Sequence, residues 1–156
     1  MQSLRIRAAT VADAGRICAI HRDSVIILCS GYYTRRQIDG WLEGYEVSRY
    51  RTAISTGSLW VADDGDIHGF VQAVGDTVTK LFVRPDRTMA GLGTALLQHA
   101  VSVISRAGHT RAYVEATTNS EAFYRRFGFT VVARGYSRHK NRAAKLEVAR
   151  MQRTIG

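Results

Sequence analysis

The chain has 156 residues, 46% of them apolar, and a formal net charge of +9 from 22 Lys and Arg against 13 Asp and Glu. That length fits one domain, residues 1–156, with an ordinary hydrophobic core, and the composition is that of a globular protein rather than of a repeat, linker or low-complexity chain. MQSLRIRAAT lacks the apolar run of a secretion signal, no segment reaches transmembrane length, and only Cys18 and Cys29 are present; the expected setting is the cytoplasm, with no membrane partner. From Arg111 onward ten Lys or Arg stand against three acids, a bias that favours anionic partners: nucleic acid, a phosphorylated cofactor or an acidic protein surface.

In chain order, LRIRAA alternates Leu4, Ile6 and Ala8 at period two and reads as a strand. Thr10 then offers an N-cap to a helix whose apolar face is Val11, Ala14, Ile17 and Cys18. SVIILCSGYY intervenes, and TRRQ from Thr34 has the form of a capping box for a second helix with Ile38, Trp41, Leu42 and Tyr45 as its apolar stripe. SLWVADDGDIHGFVQAV, two apolar runs around an Asp/Gly turn, predicts a hairpin. TVTKLFV is a further strand, stopped by Arg84-Pro85. Leu92, Ala95, Leu96, Ala100, Val103 and Ile104 then repeat at helical spacing as far as Gly108. RAYVEA is a strand, NSEAFYRRF a short helix, FTVVAR a strand, and KLEVARMQRT a last strand. The order β-α-α-β-β-β-α-β-α-β-β predicts an α/β fold, a mixed sheet with helices on its faces.

The stretch RTMAGLGTALLQ places Gly91 and Gly93 after a strand and at the start of a helix. There the free N–H groups and the dipole of the helix can bind phosphate, and glycine admits a diphosphate close to the main chain. Neither a dinucleotide fingerprint nor a P-loop is complete: Leu96 takes the third glycine's place and no Gly-Lys-Ser/Thr follows. On these residues alone, a phosphate cradle and a plain helix start are equally good readings.

LFVRPDRTMAGLGTALL, followed about thirty residues later by NSEAFYRRFGF, resembles the GNAT family of acyl-CoA-dependent N-acyltransferases. The matching positions are Val83 and Pro85, Gly91 and Gly93, Asn119, Phe123-Tyr124 and Gly128-Phe129. The resemblance implies a GNAT-like, mostly antiparallel central sheet with helices on both faces, acetyl-CoA as co-substrate, no metal, and a primary amine of a small molecule or protein as acceptor. Cofactor contacts are implied for Leu81, Phe82 and Val83, for the loop residues Met89, Ala90, Gly91, Leu92, Gly93 and Thr94, and for Asn119. Two positions depart from the family pattern: Thr88 stands where a Gln or Arg is usual, and Ala90 where a basic residue is usual. Backbone amides from Met89 to Thr94 then carry the pyrophosphate.

Transfer to an amine needs a stabilised carbonyl oxygen, a supported thiolate and a neutral amine. The resemblance implies the Val83 N–H as oxyanion donor and Tyr124 as general acid for the CoA sulfur, since a phenol of pKa about 10 stays protonated beside a thiol of pKa about 8.5. Glu115, on one face of its strand with Tyr113, is the candidate base, directly or through water, and His21 and His68 are substitutes. Tyr32 and Tyr33, with Trp41, are candidate walls of the acceptor pocket. Two other readings stand beside this one: a basic nucleic-acid-binding module centred on RGYSRHKNRAAK, not favoured because helix-turn-helix, zinc and RNP-like patterns are absent, and an acyl-CoA-binding sensor of the same fold. The pattern is compatible with a homodimer.

Overall fold

Among the described residues neighbouring strands run antiparallel with one exception, and that exception borders the candidate site. The computed structural model describes residues 3–28, 30–42, 46–87, 91–136 and 147–156. Seven strands, β1 (Arg5–Ala8), β2 (Leu59–Asp63), β3 (Ile67–Val74), β4 (Thr77–Val83), β5 (Arg111–Thr117), β6 (Thr130–Tyr136) and β7 (Glu147–Thr154), form one sheet ordered β1-β2-β3-β4-β5-β7-β6. Only β4 and β5 are parallel. Parallel neighbours need a crossover, here α4 (Leu92–Arg106).

The expected elements are present, with one more helix. A 3-10 turn at Val11–Asp13 leads into α1 (Ala14–Leu28). α2 (Arg35–Leu42) opens with the expected capping box: Thr34 N–H donates to Gln37 Oε1 at 2.8 Å and Gln37 N–H donates to Thr34 Oγ1 at 3.2 Å. The addition is α3 (Val47–Ser55), whose buried Tyr50 and Ile54 are spaced for one helical face but are interrupted by Arg49 and Arg51. α5 (Glu121–Arg126) is the short helix of NSEAFYRRF.

The period-two pattern divides the strands between two cores. On one face α4 lays Leu96, Leu97, Ala100 and Ile104 over Val71, Ala112 and Val114; on the other, Ile17, Ile20, Tyr50 and Ile54 cover Leu59, Val61 and Phe70. Gly69 lets α4 settle close: a Cβ there would meet the Phe82 carbonyl oxygen at 2.9 Å and Leu96 Cδ1 at 3.1 Å. The start of α4 is thereby held beside the end of β4.

Arg7 joins the edge of the sheet to the first helix. Its guanidinium grips Asp13 with two hydrogen bonds, 2.8 and 3.1 Å, and Asp63 of β2 with a third at 2.8 Å. Hydrogen bonding to Arg7 holds both carboxyls below the usual carboxylate range. A folded-state pKa below the unfolded one contributes stability above the ordinary value of about 4, and that stability is lost as pH falls through the depressed value. Arg7→Met is therefore expected to cost about 1–3 kcal/mol at pH 7, toward the lower end because the side chain is partly exposed. Urea titrations at pH 7 and pH 3 check this: the gap to wild type narrows at pH 3, and an undiminished gap, or none at pH 7, contradicts it.

Candidate active site

Pairing between β4 and β5 covers only Thr77↔Tyr113 and Val78↔Val114. An irregularity lies one residue on. Across the β3–β4 ladder Lys80 faces Gln72 and Val78 faces Ala73, so Thr79 is an extra residue, a β-bulge. Past the bulge a cavity of about 590 Å³ lies between the strands, lined by Leu81, Phe82 and Val83 on one side and by Glu115, Thr117 and Asn119 on the other.

The bulge also decides which main-chain groups face the opening. Arg84 N–H donates to His68 O at 2.7 Å. Counting back along an antiparallel ladder, the N–H groups of Phe82 and Lys80 turn to β3, and those of Leu81 and Val83 turn to the cleft. The Val83 carbonyl on that same edge accepts Ser24 Oγ from α1 at 2.9 Å.

The two loop glycines serve different ends. Gly91 caps α4 at φ 76°, a left-handed conformation that disfavours any side chain. Gly93 lies within the first turn, lines the cavity, and would carry a Cβ 3.4 Å from the Phe123 ring. Thr94 also lines the cavity, whereas Leu92 is buried under the helix. Met89 and Ala90, with Thr88, lie outside the described residues.

Across the gap, the turn after β5 is tied by its own side chains: Thr117 Oγ1 donates to Asn119 Oδ1 at 2.8 Å and lies 2.9 Å from Ser120 Oγ. Tyr124 N–H then donates to Ser120 O at 3.2 Å as α5 begins. The Tyr124 ring is buried between Phe123 and Phe129, centroids 5.2 and 5.7 Å away, and lines the cavity. Burial raises its phenol well above the ordinary value, so it is a hydrogen-bond donor at any physiological pH. Glu115 reaches the cavity from the outer face of β5, opposite Arg150 of β7.

His21 is buried, hydrogen-bonded to Tyr50 Oη and packed against the tilted Phe82 ring, centroids 4.4 Å apart. Burial first, then Lys80 and Arg22, push its pKa down to about 3, so the ring is neutral and a poor acceptor for an ammonium proton. His68 is bonded to Asp64, Nε2 to Oδ1 at 2.7 Å, and does not line the cavity. Tyr32 is 59% exposed and Tyr33 is buried, its hydroxyl bonded to Thr118; neither lines the cavity. Ser24, Lys80 and Arg126, which no motif in the sequence marks, also line the cavity. Lys80 sits in an apparently ordinary strand alternation, and only the bulge turns it inward, where burial and then Arg49 lower its pKa.

Backbone donors on a split strand, facing a buried phenol and beside a glycine-opened helix, suit a transferase that holds an extended, phosphate-bearing acyl carrier. Comparison with known proteins names the family. Residues 55–131 match the model of the acetyltransferase (GNAT) domain. The uncharacterized N-acetyltransferase YafP of Escherichia coli (strain K12) is 27% identical over 133 residues, covering 85% of each chain. In fold the chain is similar to the GCN5-related N-acetyltransferase from Rhodopseudomonas palustris (TM-score 0.92, 21% identity, 99% of this chain and 98% of that one). It is also similar to the PaiA N-acetyltransferase from Thermoplasma acidophilum, solved in complex with coenzyme A (TM-score 0.78, 19% identity, 98% and 99%). The chain belongs to the GNAT family of acyl-CoA N-acyltransferases, and is an acetyl-CoA-dependent N-acetyltransferase. Among the described residues no group of side chains suits a metal ion, and no helix is long and apolar enough to cross a membrane.

Gly93→Glu tests the loop. Its side chain enters the cavity between Phe123 and Val83 and sets a carboxylate beside the helix N-terminus. Acetyl-CoA affinity is expected to fall by roughly tenfold or more, the equivalent of losing about one charge-assisted hydrogen bond, while the fold persists because helix starts tolerate acids. Calorimetric titration with a parallel melting curve checks it; unchanged affinity in a folded variant contradicts the placement.

Proposed function

We propose that the β4–β5 cleft carries out direct transfer of the acetyl group to a primary amine of a small molecule or protein, without a covalent enzyme intermediate, and that the protein acts in the cytoplasm. The observation that carries this reading is the divergence of β4 from β5, which turns the Leu81 and Val83 N–H groups into a cavity that Tyr124 enters from the other side. In this assignment the backbone N–H of Val83 donates to the thioester oxygen as charge develops, and that of Leu81, two residues back along the same edge, donates to the carrier; losing such an oxyanion donor costs about 10²–10³ in rate. Met89 to Thr94 and Asn119 hold the carrier, and Phe82 packs beside it. Tyr124 donates to the departing sulfur. Its phenol is a weaker acid than the thiol it serves, so its work is stabilisation of the thiolate more than complete proton transfer.

The acceptor enters from the α1 face, where His21, Ser24 and Lys80 line the cavity with Glu115. Among the described residues Glu115 is the one carboxylate in that lining, and it takes the amine proton directly or through a water. The neutral His21 orients rather than titrates. Basic residues Arg138, Lys140 and Arg142, on which a nucleic-acid reading would rest, lie outside the described residues.

The test is acetyl-CoA-dependent thiol release with a panel of amines, beside a thermal shift with acetyl-CoA. Stabilisation together with amine-dependent release supports the reading; stabilisation without release for any amine favours a sensor. With an active amine in hand, Tyr124→Phe is expected to lower kcat by about 10² with acetyl-CoA affinity unchanged, and Glu115→Gln to lower kcat with little change in acetyl-CoA affinity. Wild-type kcat in Tyr124→Phe, or a loss traced only to unfolding, removes Tyr124 from the chemistry.

A further inference from the structure

One buried side chain outside the cavity lining links both diverging walls, one through its cluster and the other through its hydroxyl. Tyr33, in the connection between α1 and α2, is 7% exposed and packs with Val25, Ile38 and Leu42 in a cluster seated against Phe82 of β4. Its hydroxyl belongs to the other wall. It accepts Thr118 N–H at 2.7 Å and lies 3.1 Å from Thr118 Oγ1 and 3.0 Å from the carbonyl oxygen of Glu147, the first residue of β7. A phenol has one proton, so it donates to one of those two oxygens at a time while accepting from the amide.

Among the described residues the β4–β5 ladder ends at Val78↔Val114. Beyond it no main-chain bond between these strands sets their separation, and side chains must do so. Thr118 is well placed to transmit that constraint: it lies between Thr117 and Asn119, both in the cavity lining, and two residues before the Ser120 carbonyl that starts α5 and its Tyr124. We propose that Tyr33 is a positioning residue that fixes the width of the cleft, holding the wall of Glu115 and Tyr124 at a set distance from the Leu81 and Val83 N–H groups. The proposal rests on the acetyl-transfer reading, in which donors to the carbonyl oxygen and to the sulfur stand on opposite walls. A change in width then misaligns the reacting atoms and loosens the Asn119 contact while leaving the phosphate site at the start of α4 intact, so it acts on kcat much more than on carrier binding.

Tyr33→Phe keeps the ring in its cluster and removes the latch. The expected result is a kcat lower by about 10- to 100-fold with the Kd of coenzyme A changed less than about twofold, since misplacement by an ångström costs rates of that order. Ile38→Ala, in the same cluster, supplies the stability control: it lowers Tm without touching the latch, and assayed well below its melting point it keeps kcat near wild type. Equal kcat losses in the two variants, or wild-type kcat in Tyr33→Phe, overturn the proposal. Should Tyr33→Phe fail to fold, amide exchange of the wild type decides. A Thr118 amide protected like those of β5 supports the latch, and one exchanging like an exposed turn overturns it. Absence of thiol release with every amine is instead a failure of the acetyl-transfer reading, and the Thr118 exchange rate still tests the latch.

Discussion

A single extra residue governs this molecule. Thr79 interrupts the β3–β4 ladder and coincides with the point where β4 leaves β5 after two paired residues. A continuous parallel ladder would have satisfied Leu81 and Val83 and closed the sheet. The divergence leaves two ordered N–H donors facing a cavity, with rigid strands to hold them. Unpaired main-chain groups inside a protein are costly, and a sheet that keeps them oriented for a ligand trades stability for a prepared site. The parallel relation has a second consequence: its crossover helix, α4, must begin next to the end of β4. Gly69 lets that helix settle, so the N–H groups of its first turn and those of the strand edge face one cavity.

Burial shapes the chemistry of the cleft in one direction. His21 is driven down to about 3, the Lys80 amine is lowered and the Tyr124 phenol is raised, each with desolvation as the largest cause. Three different groups are thereby pushed toward their uncharged forms. Such surroundings strengthen hydrogen bonds to a developing oxyanion or thiolate, because water competes poorly there. They also favour the neutral form of an amine, which is the nucleophilic one. Glu115 stands apart, exposed at the edge of the same cavity.

Much of this was legible in the sequence, and the reasons for the rest are specific. The hairpin, the long helix and the last strands declared themselves through periodicity and turn residues. Gly91, Gly93 and Tyr124, which line the cavity, stand out in the sequence because they fall in paired motifs at a characteristic spacing. The bulge left no mark: Thr79 and Lys80 look like an ordinary alternation, so Lys80 was not read as facing the site. Ser24 was invisible for a similar reason, since its contact with Val83 spans 59 positions. α3 escaped because its buried Tyr50 and Ile54 are diluted by arginines. Tyr33 was singled out for its place between two helices, but its hydroxyl is committed to Thr118, a pairing across 85 positions that no local pattern encodes.

The central claim is that the cleft-facing edge of β4 binds the acyl carrier through alternate amides. Titration of ¹⁵N-labelled protein with acetyl-CoA reads those amides one by one. The Leu81 and Val83 resonances, with Gly93 and Thr94, should move strongly, while those of Phe82 and Arg84, committed to β3, move little. Uniform shifts along β4, or shifts confined to residues outside the cavity, would contradict it.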